Sequence, residues 1–420
     1  MKAYDSRYTD ILRDELLVAM GCTEPIAIAY AAAYAREVLG KMPEKMDVRC
    51  SGNLIKNAKA VTVPGTGGLR GIPVAAIAGA VSGRADLKLE VISTLTDEDR
   101  AEINRQLEKN MANAEYLPSE HTLHVVVDAY AGEDNASVEI IDTHTGIGNV
   151  IKNGKYLKYR ADDIESSDEE GSILTIEKIY DYANNVNLEE ISDILERQIN
   201  YNTDISQEGM SNPWGEQVGK AVLQMSDFGI WAQLIAAAAA GSDARMNGCT
   251  KPVVINSGSG NQGMTVSLPI IKYAEIKGLS HDELLRALAF ANLIAIHEKE
   301  GIGKLSAYCG AVCAAAASAC GVAYLDKQPL ELIGNVLTNA LGTISGMVCD
   351  GAKSSCAAKI ATALYCALLG YTMAKSDCVF RDGEGIVKPT VEETITTVGR
   401  LAAEGMRGTD EKLLGLMLDK

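Results

Sequence analysis

The chain has 420 residues, of which 47% are hydrophobic and only 5% aromatic, and its 39 basic and 56 acidic residues give a net charge of −17. A chain of this length has room for two hydrophobic cores, and the acidic excess argues against nucleic acid and anionic membranes as partners. The charged amino-terminal stretch does not have the apolar core of a signal peptide. The ten cysteines of the chain are therefore expected in a reducing, cytoplasmic setting.

The first 165 residues mix helical and β-branched patterns. Helices are predicted over residues 5–20, 23–39, 72–83 and 96–113, and strands over 46–53, 87–95, 122–131, 136–142 and 148–153. Beyond about residue 166 the pattern is almost wholly helical. The sequence therefore predicts an α+β fold with a small mixed α/β region and a large, predominantly helical part.

Domain boundaries follow from the same patterns. The acidic run at residues 161–171 is the best candidate for a solvated connection. It separates a mixed α/β domain, residues 46–165, from a helical domain, residues 166–420. Residues 1–45 are expected to form amino-terminal helices that pack on the helical domain.

Cys22 lies just before a predicted helix, in the segment GCTEP. Thr23 suits the N-cap position, and Glu24 and Pro25 suit the first turn. The positive end of the helix is expected to lower the pKa of the Cys22 thiol. From this local pattern alone, a reactive thiol and an ordinary loop cysteine are equally compatible with the sequence.

Two polar glycine loops, residues 64–70 and 257–264, offer backbone N–H groups that could hold a carboxylate or another anion. The first does not match the phosphate-binding P-loop pattern, and both are also compatible with purely structural turns. His297 lies just before the cysteine-rich region. It could be a catalytic base, a partner that supports another site residue, or a residue that ends a helix, and a structural role is favoured. His121, His124 and His144 are expected at the surface.

Residues 301–359 hold five of the ten cysteines. Cys309, Cys349 and Cys356 stand in or beside polar glycine turns that lead into alanine-rich helices, a position that favours thiolates and metal ligands. The other two cysteines of this stretch, Cys313 and Cys320, lie inside an apolar segment, as does Cys366 just beyond it. These three are expected to be small core residues.

Six motifs together resemble the L-cysteine desulfidase family, which is related to the α chain of iron–sulfur L-serine dehydratases. They are GCTEPIAIA at 21–29, SGNLIKNA at 51–58, VPGTGG at 63–68, NSGSGNQG at 256–263, GIGKLSAYCG at 301–310 and GMVCDGAKSSCAAK at 346–359. The resemblance extends from about residue 16 to about residue 374, and the motifs are specific in combination.

The resemblance implies a [4Fe–4S] cluster held by Cys309, Cys349 and Cys356, with one iron free for substrate. It also implies that Cys22 is the base that removes the α-proton. No terminal cysteine is present to cap the free iron, and the interval from Cys349 to Cys356 looks short for a bacterial serine dehydratase, so the desulfidase branch is favoured. Candidates for binding the substrate are Asn53, Thr66, Ser257, Asn261 and His297.

The implied reaction is β-elimination of L-cysteine to pyruvate, ammonia and sulfide, or of L-serine to pyruvate and ammonia. The expected partner is a small amino-acid substrate, and large apolar helices leave room for a homodimer interface. Three alternatives stay open: a non-enzymatic iron–sulfur or thiol redox sensor, a pyridoxal-phosphate lyase that uses Lys353 or Lys56, and an inactive relative. Intact cysteines argue against the last.

Overall fold

The computed structural model describes residues 4–160, 173–225, 229–303 and 305–418, so the predicted boundary at 161–171 lies outside the described residues. The first part of the chain contains α1 (Arg7–Glu15), β1 (Val18–Met20), α2 (Thr23–Leu39), β2 (Lys45–Cys50), α3 (Gly52–Ala58), α4 (Ile72–Ser82), α5 (Asp97–Glu108), β3 (Ala112–Tyr116), β4 (His124–Ala131), β5 (Asp134–Ile141), β6 (Ile147–Lys152) and β7 (Lys155–Lys158).

The second part is helical apart from one short strand. It contains α6 (Ile176–Asn185), α7 (Ser192–Ser211), α8 (Val218–Gln224), α9 (Ile230–Met246), β8 (Pro252–Val254), α10 (Gly260–Lys277), α11 (His281–Glu300), α12 (Ala311–Leu325), α13 (Leu330–Ile344), α14 (Cys356–Ala374), α15 (Val391–Arg400) and α16 (Arg407–Leu418). The predicted α+β class, with a small mixed region and a larger helical one, is confirmed.

Six strands form one sheet in the order β3-β2-β4-β5-β6-β7. Only β2 and β3 run parallel; the other neighbouring pairs are antiparallel. Alternate residues of β4 and β5 are buried, and α2 packs against these two strands. Helix α4 in turn lies so close to α2 that a Cβ on Gly79 would be 1.9 Å from the Ala29 carbonyl oxygen. Small residues therefore set the spacing of these layers.

The expectation that residues 1–45 rest on the helical part is wrong for most of α2, which contacts the sheet and α4. Helix α1 contacts α11, and β1 pairs with β8. At the start of α2, Thr23 Oγ1 donates a 2.9 Å hydrogen bond to the Gly258 carbonyl. Because α2 is buried on nearly every side, its sequence did not favour one partner over the other.

The predicted strand at residues 87–95 is wrong. Ala85–Glu90 form a 3₁₀ helix that packs on α2, and the edge of β2 is occupied by β3 instead. Strand β3 begins near the end of the segment predicted as one helix over residues 96–113. Helix α5 begins after Thr96, whose side chain caps it, and ends at Glu108. Alternating apolar residues indicated a strand, but tertiary packing decided otherwise.

The helical part centres on α12, whose residues are all buried. Helices α10, α11, α13 and α14 pack around it, and α9 contacts both α10 and α14. Within the described residues, α14 is the one helix long and apolar enough to cross a membrane by length and composition, and 44% of that stretch is buried in the fold. The amino-terminal ends of α2, α10, α12 and α14 meet at one cavity.

Candidate functional site

A cavity of about 100 Å³ lies where these four helices begin. Its wall contains Cys22 from the start of α2, Cys309 from the loop before α12, Cys349 from the turn before α14 and Cys356 from the start of α14. The structure thus brings together four thiols from three stretches that lie far apart in the sequence. Helix starts present N–H groups and partial positive charge to the cavity, which favours anions there.

Cys309 and Cys349 are brought together by pairing of their backbones. The Cys309 N–H donates to the Met347 carbonyl at 2.9 Å, and the Cys349 N–H donates to the Ala307 carbonyl at 2.6 Å. Tyr308 and Val348 form the antiparallel bridge between them. This pairing explains how residues forty positions apart come to share one wall.

The turn from Cys349 to Cys356 is fixed against its surroundings. Gly351 has φ +96°, and a Cβ there would lie 2.3 Å from the Lys56 carbonyl oxygen, so the turn requires glycine. Ser354 Oγ donates a 2.8 Å hydrogen bond to Asn247 Oδ1 at the end of α9. Asp350 accepts from both Lys353 and Lys359. Cys356 is therefore held in place from both sides of the turn.

Cys309 and Cys349 are unequal in acidity. The Cys309 thiol donates to the Cys349 sulfur, which lowers the pKa of Cys349 although burial opposes this; the Lys56 charge and the Gly351 N–H lower it further. The same hydrogen bond and burial raise the pKa of Cys309 well above its usual range. The hydrogen bond from Cys309 therefore favours the thiolate form of Cys349.

These cysteines suit an iron–sulfur cluster. Thiolates are the ligands of such clusters. No group of three His, Cys, Asp or Glu side chains among the described residues is placed to hold a single metal ion. Soft thiol donors, nearby lysines and helix starts are the features of Cys309, Cys349 and Cys356 that fit the cluster.

Cys22 forms a pair with Glu24. From the sequence, Glu24 was expected only as a residue of the first helical turn. The Cys22 thiol donates a 3.0 Å hydrogen bond to Glu24 Oε2. Burial and the Glu24 charge raise the pKa of Cys22 well above its ordinary value. The predicted lowering is therefore wrong, because full burial beside a carboxylate outweighs the partial charge of a helix start.

Glu24 is the charged member of this pair. Burial opposes its ionisation, but the His144 charge and the hydrogen bond from Cys22 leave its pKa below the ordinary value. Asn57 Nδ2 also donates to Glu24 Oε1 at 3.1 Å. His144 is 5% exposed, so the expectation that it is a surface residue is wrong. His144 follows β5, so a residue next to the sheet contributes to the electrostatics of Glu24.

Three more cavity residues were not identified from the sequence. Arg245, near the end of α9, is 2% exposed, and its Nε has no hydrogen-bond partner in the part of the chain that the structure describes. The same holds for Oε1 of the buried Gln262 in α10. Burial lowers the pKa of Lys299, while nearby thiols such as Cys313 and Cys349 act in the opposite direction. A charged residue inside an alanine-rich helix was the available signal for Arg245.

Of the predicted substrate-binding residues, Asn261 lines the cavity and accepts a 3.2 Å hydrogen bond from Ser242 Oγ. Asn53 lies instead in a neighbouring cleft of about 390 Å³, which shares Leu305 and Ser306 with the cavity. Its partner four residues along α3, Asn57, faces the cavity. A helix was not predicted for residues 52–58. Residues four apart in a helix lie on one face, so Asn57 was a candidate that only the helix makes visible.

The other three candidates bond to their own surroundings. Thr66 Oγ1 donates to the Val63 carbonyl at 2.7 Å within its loop. Ser257 Oγ donates to Asn256 Oδ1 at 2.9 Å. His297 Nε2 is paired with Glu392 Oε2 at 2.7 Å, away from the described residues that line the cavity. These three side chains support the fold around the site.

Comparison with known proteins places the chain in a family. A family model described as the serine dehydratase alpha chain matches residues 86–415. A UPF0597 protein of Lachnoclostridium phytofermentans is 48% identical over 411 residues, covering 98% of this chain and 99% of the relative. UPF0597 proteins of Finegoldia magna (45% identical, 98% of this chain and 99% of the relative) and Desulfitobacterium hafniense (43%, 99% and 97%) are similar over comparable lengths. The resemblance seen in the motifs is confirmed, and the chain belongs to the serine dehydratase alpha chain family, as a relative of the UPF0597 proteins.

Proposed function

We propose that the protein is an iron–sulfur-dependent lyase that eliminates the β-substituent of L-cysteine or L-serine. The products are pyruvate and ammonia, with sulfide when the substrate is L-cysteine. One observation carries the proposal: Cys22, Cys309, Cys349 and Cys356 line a single cavity. Membership in the serine dehydratase alpha chain family supports lyase chemistry in general. Free thiols at all ten cysteines suit a reducing cytoplasm.

Cys309, Cys349 and Cys356 would hold the [4Fe–4S] cluster. When bound, the cluster supplies a Lewis acid at the iron without a protein ligand, which makes the β-thiol or β-hydroxyl a better leaving group. The protein's contribution is to place these thiols at one cavity and to favour the thiolate of one of them. The lysines at 56 and 359 favour the thiolate of Cys349, and the helix starts favour negative charge throughout the cavity.

Cys22 and Glu24 together form the base. With a carboxylate beside a thiol of raised pKa, Cys22 needs an acceptor for its own proton. We assign that role to Glu24 Oε2, 3.0 Å away. As the Cys22 sulfur takes the Cα proton, its thiol proton passes to Glu24, so the sulfur stays neutral overall. The Cα electrons then form the double bond to Cβ as the leaving group departs.

The product of this step is aminoacrylate, which tautomerises and is hydrolysed to pyruvate and ammonia.

The lysines of the alternative pyridoxal-phosphate lyase are both paired with carboxylates. Lys56 Nζ lies 2.5 Å from Asp410 Oδ1, and Lys353 Nζ lies 2.5 Å from Asp350 Oδ1. Both amines are thus already held by a carboxylate, which disfavours a Schiff base.

The test is anaerobic iron reconstitution followed by assays of pyruvate and sulfide. We expect pyruvate from L-cysteine, L-serine or both, none from the D-forms, and activity that depends on iron. A stable cluster that yields no pyruvate from any of these substrates would favour the redox sensor. An absorbance band in the violet that borohydride removes would favour the pyridoxal-phosphate lyase.

A further inference from the structure

The cavity wall contains a buried arginine that the described residues do not fully satisfy. Arg245 is 2% exposed, and its Nε has no hydrogen-bond partner among the described residues. Glu24 already accepts hydrogen bonds from Cys22 and Asn57. A buried guanidinium that is not fully hydrogen-bonded is costly, so its retention in a cavity wall indicates an anionic ligand.

Two glycines make room for the side chains that bound this part of the cavity. A Cβ on Gly260 would lie 2.4 Å from Arg245 Nε, and a Cβ on Gly310 would lie 2.5 Å from Gln262 Cδ. Arg245 is thereby held against the first turn of α10, and Gln262 against the residue that follows Cys309. The buried Gln262 also keeps an Oε1 without a partner in the described part of the chain. The two unpartnered polar groups are thus fixed in the wall by close packing.

We infer that Arg245 binds the α-carboxylate, and Gln262 Oε1 the α-ammonium, of a free α-amino acid. This inference rests on the proposed function and assigns the residues that recognise the charged groups of its substrate. A guanidinium matches a carboxylate with two parallel hydrogen bonds, and the start of α10 adds partial positive charge. An amide oxygen accepts from an ammonium without itself ionising.

The position of Arg245 relative to the base supports the same assignment. Arg245, Cys22 and Glu24 line the same cavity of about 100 Å³, so the guanidinium lies near the pair that removes the Cα proton. In an α-amino acid the carboxylate carbon is bonded directly to Cα. A group that binds the carboxylate must therefore stand next to the base, which is where Arg245 is found. Amides, esters and residues within peptides do not offer this anion.

The first experiment compares L-cysteine with L-cysteinamide in the reconstituted enzyme. We expect the wild type to favour the acid in kcat/KM by about 10- to 100-fold, the usual range for a hydrogen bond to a charged group. Arg245→Gln should bring the ratio close to one, and Arg245→Lys should restore part of it. An unchanged ratio in Arg245→Gln would overturn the inference.

Arg36→Gln is the matched control. Arg36 donates to the Ala80 and Val81 carbonyls at 2.6 and 2.8 Å and lies outside the described cavity wall. This variant removes a structural arginine and should keep the wild-type preference for the acid. Loss of the preference in Arg36→Gln as well would overturn the assignment to Arg245.

A binding experiment separates this inference from the proposed function. L-Alanine has no leaving group, so calorimetry can measure its binding, and that of L-alaninamide and propionate, without turnover. We expect Arg245→Gln to weaken L-alanine about 10-fold or more and L-alaninamide little. Gln262→Met should remove the preference for L-alanine over propionate. Equal binding of the acid and amide by the wild type would overturn the inference, whereas selective binding without pyruvate production would overturn only the lyase.

Discussion

The last turn of α11 separates two regions that treat a buried cation in opposite ways. His297 faces α15 and is paired with Glu392 at 2.7 Å and Glu300 at 3.4 Å. Two residues later, Lys299 faces the cavity, where burial lowers its pKa and its neighbours are thiols. Between them, burial raises the pKa of the Glu298 carboxyl well above its usual value. One helical turn thus serves both a structural contact and the candidate site.

The difference indicates how to recognise a site in this fold. On the α15 side the protein supplies its own counter-charges, and the charged groups there need nothing further. On the cavity side, Arg245 and Gln262 each have a buried polar atom without a hydrogen-bond partner among the described residues, and the thiols lie beside cations. Unsatisfied groups inside a folded core are expected where a ligand completes them.

The largest expected effect is that of removing a cluster ligand. Cys349→Ala should lose most of its iron and reduce turnover more than about 100-fold, the upper range seen when only a supporting partner of a ligand is removed. Iron content and the visible spectrum after anaerobic reconstitution provide the measurement.

Cys320→Ala is the matched control for this variant. Cys320 lies fully buried within α12, where its thiol donates to the Ile333 carbonyl at 3.7 Å. Its replacement should cost about 1 kcal/mol of stability and leave iron and turnover intact. Iron loss from Cys320→Ala but not from Cys349→Ala would reverse the assignment of structural and ligand cysteines.

The next effect concerns the base. Cys22→Ser and Glu24→Gln should each keep iron and reduce turnover by about 100-fold or more, the usual contribution of a positioned acid–base group. Because the two act as one unit, the double variant should be little worse than either single variant. Loss of iron from Cys22→Ser as readily as from Cys349→Ala would make Cys22 a fourth ligand and favour the redox sensor.

The sequence was most informative where a residue type and a loop position coincide. Polar glycine turns before alanine-rich helices drew attention to Cys309, Cys349 and Cys356, and the GCTEP motif to Cys22. It was least informative where a distant segment decides the outcome. The lowered pKa of Glu24 depends on His144, which is supplied by the sheet, and the short strand β1 exists because β8 lies beside it. Such pairings are set by tertiary contacts that local patterns do not contain.

A smaller effect distinguishes two asparagines of α3. Asn57 donates a 3.1 Å hydrogen bond to Glu24, whereas Asn53 lies in the neighbouring cleft. Asn57→Ala should lower kcat by about 10-fold, because a hydrogen bond to a charged group is lost. Asn53→Ala, the matched control one turn away, should stay close to wild type. A greater loss in Asn53→Ala would favour the sequence-based assignment and a role for the cleft in catalysis.

The smallest effect is one of stability, on the α15 side. Burial disfavours the charged form of His297, but Glu300 and Glu392 raise its pKa from 6.5 to about 9. A pKa raised by folding contributes stability that is fully present below the unfolded value of about 6.5 and is lost as pH rises through about 9. His297→Gln should therefore lower the free energy of unfolding by about 1–2 kcal/mol at pH 6 and by less at pH 9.5.

Urea unfolding of both proteins at several pH values measures this difference. His121→Gln is the control, since His121 pairs with Asp142 but its side chain is 46% exposed, and exposed ion pairs contribute little. A difference between wild type and His297→Gln that stays constant from pH 6 to 9.5 would mean that packing alone, and not the paired charge, holds α11 to α15. The contrast between the two faces of α11 would then rest on the cavity side only, because His297 would no longer be an example of a cation neutralised by the protein.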